Sequence, residues 1–275
     1  MCDDLTCGPN KNLPTIALSE EQRRLFLKGL ISLPLATVLG VPGLAMAAAE
    51  KLETVHITSE TGERLMAALA LPENPTNAPA VLLIHEWWGL NDQIKSVAQE
   101  FAKQGYIALA VDLYQGGLAT TAEKAKSLMG AVNATHATET LQAWVSYLKD
   151  NHKASKVGTI GWCFGGGWSL NASLGANIDA TVVYYGDMNK SAAQLKKLQS
   201  PLLGHFGTQD QWINKAMLDK FSQALQDSGS TATADIHWYE ANHAFANPSS
   251  ARYDDQDAAL AWQRTLAFFQ QHLRG

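Results

Sequence analysis

"VGTIGWCFGGGWS", residues 157–169, decides how the chain is read. Val157, Thr159 and Ile160 lead an apolar run up to Trp162; then come Cys163, Phe164 and three consecutive glycines, Gly165 to Gly167. Strand-forming residues before the cysteine and a small-residue segment with helical content after it predict a strand, a sharp turn and a helix. Cys163 stands at the corner.

The same alternation extends in both directions. "AVLLIHE" is a continuous apolar run of strand length, and "LNDQIKSVAQEFAKQGY" after it repeats Ile94, Val97, Ala98, Phe101 and Ala102 at helical spacing until Gly105 stops the helix. "IALAVDLY" is strand-like, and residues 121–148 read as helices broken near Asn133. Beyond the elbow come "ATVVYYG", a helical "SAAQLKKL", "PLLGHFG", a helical "INKAMLDKFSQALQDSG", "ADIHWYE" and a final helix ending "AWQRTLAFFQQHL". Upstream, "ETVHITSE" and "GERLMAALALPE" form two strands joined by a turn at Thr61 and Gly62. Apolar strands without polar alternation, each followed by an amphipathic helix, predict an α/β class: a doubly wound, mostly parallel sheet with helices on both faces.

A chain of 275 residues with 46% hydrophobic and 17% charged residues supports one domain with a sizeable core. Its net charge of −5, without a basic run, argues against nucleic acid as a partner. The first fifty residues differ in kind. Arg23 and Arg24 precede an uncharged apolar run, Gly29 to Ala47, that ends in small residues, which is the layout of an export signal. "RRLFLK" is similar to a twin-arginine signal, with A-x-A cleavage sites at Ala45–Ala47 or Ala47–Ala49. The expected division is therefore residues 1–49 as signal and linker and 50–275 as the mature domain, periplasmic or secreted, monomeric and without a stable membrane span. Removal of the signal would take Cys2 and Cys7 with it and leave Cys163 as the mature chain's single thiol.

In doubly wound sheets reactive groups gather at the carboxyl ends of strands. Gly161-Trp162-Cys163-Phe164-Gly165 has the form of a nucleophile elbow with cysteine in the serine position. Asp210 in "GTQD" and His243 in "YEANHAFAN" each follow a strand, giving the chain order nucleophile, acid, base of the α/β-hydrolases. His243 can take the thiol proton while Asp210 fixes its tautomer. Glu86 closes an apolar strand beside Trp87 and Trp88, where desolvation raises a carboxyl's proton affinity. The backbone N–H groups of Trp87 and Phe164 are candidates for the oxyanion hole, and Trp88, Tyr114, Tyr185, Phe245 and Arg252 for the substrate pocket.

Taken together, "HEWWGLND", "VDLY", "IGWCFGGG", "VVYYG", "GTQD" and "YEANHAFAN" resemble the dienelactone hydrolase family. The resemblance implies a hydrolase of enol-lactones and related esters, without cofactor or metal. Cys163, Asp210 and His243 would form its triad, and Glu86 would hold or help deprotonate the thiol until substrate displaces the contact. The chain departs from the family's pattern after "VDLY" and after the histidine, where substrate-binding arginines are replaced by "YQGGLAT" and "HAFANPSS". Asn247 occupies the later position, and Arg252 lies five residues further on. A neutral ester or lactone fits these residues better than an anionic one. The rival reading is a non-catalytic binding protein or thiol redox sensor on the same fold, against which the absence of a resolving cysteine in the mature chain weighs.

Overall fold

A computed structural model describes residues 42–50 and 52–275. Among the described residues eight strands make one sheet: β1 (Glu53–Thr58), β2 (Arg64–Ala70), β3 (Ala80–Ile84), β4 (Ile107–Val111), β5 (Val157–Trp162), β6 (Ala180–Tyr184), β7 (Leu202–Gly207) and β8 (Ala234–Tyr239). Their spatial order is β1-β2-β4-β3-β5-β6-β7-β8. From β4 to β8 all neighbours run parallel, and β2 pairs antiparallel with both β1 and β4. Every residue of β3 to β7 is buried, as the uninterrupted apolar runs require of strands covered on both sides.

Eight helices accompany the sheet among the described residues: α1 (Pro42–Ala49), α2 (Asp92–Lys103), α3 (Ala122–Ala131), α4 (Ala134–Asp150), α5 (Phe164–Gly175), α6 (Ala192–Leu195), α7 (Lys215–Ser228) and α8 (Asp255–Arg274). One face is covered by α2 and α8, whose Phe101, Trp262 and Phe269 pack together over Tyr106. The other face takes α4 through Leu141, Trp144 and Leu148, α5 through Trp168 and Ala172, and α7 through Leu218 and Phe221. The break near Asn133 has a direct cause: its side chain accepts a hydrogen bond from the His136 N–H and caps α4. Asn91, Thr121, Asn214 and Asp254 cap α2, α3, α7 and α8 in the same way.

The expected export signal lies outside the described residues, apart from α1. This short helix packs against α2 and buries Ala45, Ala48 and Ala49. No described helix is long and apolar enough to cross a membrane.

Register fixes where the site must be. Ile84 of β3 lies opposite Gly161 of β5, and Trp162 lies opposite Tyr184 of β6. The residues that leave these strands, His85 and Glu86, Cys163, and Tyr185, therefore emerge side by side at the point where strand order reverses. Ligand crevices form there in sheets of this kind.

Candidate active site

Cys163 has φ 54° and ψ −115°, a strained conformation for a residue with a side chain. It is held from both sides. Its N–H donates to the Tyr184 carbonyl at 3.0 Å, and its own carbonyl accepts from the Gly166 N–H at 3.0 Å. A Cβ on Gly161 would collide with the Gly165 carbonyl, and one on Gly165 would strike the carbonyl oxygens of Ile84 and His85. The glycines flanking the cysteine are thus a steric requirement of the turn. Gly166 lets α5 close on β6, since a Cβ there would lie 2.7 Å from the Tyr184 oxygen.

Three loops bring the candidate catalytic groups together. The Cys163 Sγ is 3.1 Å from His243 Nε2, and His243 Nδ1 is 2.6 Å from Asp210 Oδ2. The other aspartate oxygen, Oδ1, accepts from the backbone N–H groups of Trp212 at 2.9 Å and Ile213 at 3.0 Å. Those two donors orient the carboxylate, which in turn makes Nδ1 the donor and leaves Nε2 facing sulfur. Burial alone would lower the His243 pKa, but its contacts with Cys163 and Asp210 outweigh it and raise it to about 10. The ring is thus held between two groups that favour its protonated form. Sulfur also sits at the amino end of α5, where the helix dipole favours an anion.

Beside the sulfur stand two unused donors. The N–H of Phe164, first residue of α5, and the N–H of Trp87 have no hydrogen-bond partner among the described residues. His85 holds the second of these in position. The Leu113 N–H donates to His85 Nε2 at 3.1 Å, so Nε2 is the acceptor and Nδ1 donates to the Glu86 carbonyl at 2.6 Å. Burial pushes the His85 pKa down, and the ring is a neutral strut tying the ends of β3 and β4 together. Asp112 lies 3.9 Å from Nε2, an atom already used as an acceptor, and makes no ion pair with the neutral ring.

Glu86 does not bond to the thiol, contrary to what the resemblance implies. Its Oε2 accepts from Asn247 Nδ2 at 2.5 Å and its Oε1 from Tyr185 Oη at 3.4 Å. Burial raises its pKa, with the nearby His243 charge and these two donors acting in the opposite direction. The carboxyl lines a cavity of about 250 Å³ between α2 and α8, with Gln93, Asn247, Trp262 and Tyr185. It is absent from the walls of the pocket that holds the sulfur.

That second pocket, about 420 Å³, contains Cys163 and His243 and is lined by Trp87, Phe164, Trp168, Tyr185, Trp212, Ile213 and Met129, with Asn171, Asp187 and Lys190 as its other polar groups. Of the expected substrate-pocket residues, Tyr185 lines it; Trp88, Tyr114, Phe245 and Arg252 do not, and the expectation is corrected for those four. Trp88 packs edge-on against Trp87 with ring centres 4.9 Å apart. Tyr114 turns to the His85 ring at 4.6 Å, and Phe245 is fully buried between Tyr185 and Tyr239. Arg252 lies over the Trp212 ring, its guanidinium carbon 5.0 Å from the ring centre. Sequence reasoning misses Trp212, Met129 and Lys190, whereas Trp168, one turn into the helix that begins at the elbow, reads as a core or pocket-wall aromatic and lines the pocket.

The family model for the dienelactone hydrolase family matches residues 65–273, which span every strand from β2 onward and all the groups just described. The chain belongs to the dienelactone hydrolase family. Among relatives of this family, a probable 2-oxo-3-(5-oxofuran-2-ylidene)propanoate lactonase from Bradyrhizobium sp. is 30% identical over 229 residues, 78% of this chain and 92% of its own length. A carboxymethylenebutenolidase from Pseudomonas putida is 28% identical over 228 residues, 78% of this chain and 95% of its own. A solved structure of a putative dienelactone hydrolase from Klebsiella pneumoniae superposes with a TM-score of 0.71 at 25% identity, covering 80% of this chain and 99% of that one. These dienelactone hydrolase relatives match along almost their whole length, so the likeness extends to the complete domain.

Proposed function

We propose that the protein hydrolyses a neutral carboxylic ester or lactone through an acyl-enzyme on Cys163. The observation that carries this reading is the Cys163–His243–Asp210 chain of contacts at 3.1 and 2.6 Å, in a pocket whose wall includes Trp87 and Phe164, the two residues with unpartnered N–H groups. The activities for which the lactonase and carboxymethylenebutenolidase relatives are named support the same reaction class.

Each group has a task in the reaction. The thiolate attacks the carbonyl carbon, and the charge that moves to oxygen is met by the Trp87 and Phe164 N–H groups. Collapse of the tetrahedral intermediate breaks the C–O bond, and His243 gives its proton to the departing alkoxide. A water then attacks the thioester while His243 takes its proton; collapse breaks the C–S bond, the thiolate reforms beside the protonated ring, and the carboxylic acid product leaves and gives its proton to solvent. Asp210 stabilises the imidazolium throughout.

Neutral substrates follow from the pocket. Its walls are chiefly aromatic and aliphatic, and Lys190 and Asp187 offset one another in charge. A screen of nitrophenyl esters and small lactones with purified protein tests the proposal. Hydrolysis should appear in the wild type and fall at least a thousandfold in Cys163→Ala; equal rates in the two proteins would refute it. We also propose export of a monomeric enzyme by a twin-arginine route, on the strength of Arg23 and Arg24 before the apolar run. Replacing both by lysine should hold the precursor inside the cell, and unchanged export would count against that route.

A further inference from the structure

Asn247 is unusual in having its orientation dictated from three directions. Its Oδ1 accepts from Gln93 Nε2 at 2.8 Å and from the Ser249 backbone N–H at 2.8 Å. A backbone N–H can only donate, so Oδ1 must be the oxygen, and the amide NH2 must face Glu86. A group that can only donate, 2.5 Å from a carboxyl oxygen inside the protein, holds that oxygen as an acceptor. Asn247 is itself buried, and Ser249 Oγ lies 3.5 Å from Gln93 Oε1, which closes a small network around the pair.

We infer that Gln93 and Asn247 are positioning residues that latch Glu86 toward the cavity between α2 and α8, so that Cys163 stays engaged with His243 in the ligand-free protein. Nucleophile readiness is then built into the resting state, and substrate is not needed to release the thiol. The inference rests on the reading of Cys163 and His243 as nucleophile and base. The ionisable groups that face Glu86 are His243 and Tyr185. His85, its chain neighbour, is neutral and turned toward Leu113.

Loss of the Asn247 donor leaves a buried carboxyl without its shortest hydrogen bond. The Cys163–His243 pair nearby is the alternative partner. A carboxylate turned to the imidazolium competes with the thiolate for it, and a protonated carboxyl donates to the sulfur. Either contact lowers the nucleophilicity of the sulfur.

Alkylation of Cys163 by iodoacetamide tests this directly, because it needs no substrate. The wild type should react rapidly at pH 7. Asn247→Leu should react at least tenfold more slowly under the same conditions. Gln93→Leu leaves the Ser249 contact in place and should slow the reaction about twofold to fivefold, which keeps the test usable if Asn247→Leu folds poorly. The decisive measurement repeats Asn247→Leu in a Glu86→Leu background, where the loss of Asn247 should no longer matter. An unchanged rate in Asn247→Leu, or an equal loss with and without Glu86, would overturn the latch. Should the cycle behave as expected while no ester or lactone is turned over, the latch stands and the functional reading falls. Turnover with an insensitive cycle overturns the latch and leaves the functional reading standing.

Discussion

Asp210→Asn isolates tautomer control from structure. The aspartate Oδ1 is fixed by two backbone donors, Trp212 and Ile213, while Oδ2 faces His243 Nδ1. An asparagine keeps its oxygen on those two N–H groups, because turning the amide would set its NH2 against them. The NH2 must then point at Nδ1. A donor facing Nδ1 makes that nitrogen the acceptor and moves the ring proton to Nε2, next to sulfur, where a neutral ring can no longer take the thiol proton. A wrong tautomer in a comparable triad costs on the order of 10⁴-fold. A thiol ionises more readily than a serine hydroxyl, so the expected loss in kcat/KM is about 10²- to 10⁴-fold. This corresponds to roughly 3 to 5 kcal/mol of transition-state stabilisation at 1.36 kcal/mol per decade. The fold should be spared, since the backbone hydrogen bonds survive. Ester turnover measured together with the iodoacetamide alkylation rate at pH 7 checks the reasoning: both should fall in Asp210→Asn while the melting temperature stays near that of the wild type. Asp210→Asn retaining more than a tenth of wild-type turnover would refute the argument.

His205 is fully buried, with its ring nitrogens 2.8 Å from Tyr239 Oη and 3.1 Å from Thr265 Oγ1, and burial, with His237 and Arg264 nearby, holds its pKa well below 6.5. The unfolded chain takes up a proton there that the folded chain refuses, so stability is retained above pH 6.5 and lost below it by up to about 1.4 kcal/mol per pH unit. Urea unfolding at pH 7 and pH 5 should show that acid loss, with a smaller drop in His205→Gln; the same drop in both would exclude His205. Gly165→Ala forces a Cβ against two carbonyl oxygens of the β3 exit, and overpacking of this kind costs about 2 kcal/mol, or roughly 4–8 °C in Tm. It should also cut turnover by about a hundredfold, because the loop it pushes carries the Trp87 N–H. A variant that melts and turns over like wild type would show that the contact is easily relieved.

Much of the fold was legible because burial on both faces leaves a plain mark. Strands such as "AVLLI" and "IALAV" carry no polar alternation, and amphipathic spacing from Ile94 to Ala102 marks the helix that covers them. Cys163, Asp210 and His243 were legible for a related reason: strand ends can be read, and the sheet's register then brings them to one edge. Which way a side chain leaves a strand end could not be read. Phe245 follows Ala244, whose φ of 64° turns the chain and sends the ring inward. Trp212 and Met129 reach the pocket through loop and helix packing that no local pattern encodes. Glu86 is recognisable as a buried acid, but its partners lie 99 and 161 residues away, and only tertiary contact reveals that they turn it from the thiol.

The contact of Gly165 with the carbonyls of Ile84 and His85 joins two peptide backbones with no side chain between them. A displacement of the nucleophile turn would therefore press directly on the backbone that leads into the loop bearing the Trp87 N–H. The walls of the sulfur's pocket come partly from these same two segments, through Trp87 and Phe164, and partly from elsewhere: Met129 on α3, Trp168 further along α5, and Trp212 and Ile213 beyond β7. Exchanges in the second set reshape the pocket without touching the backbone contact at Gly165, whereas exchanges in the first act on both at once.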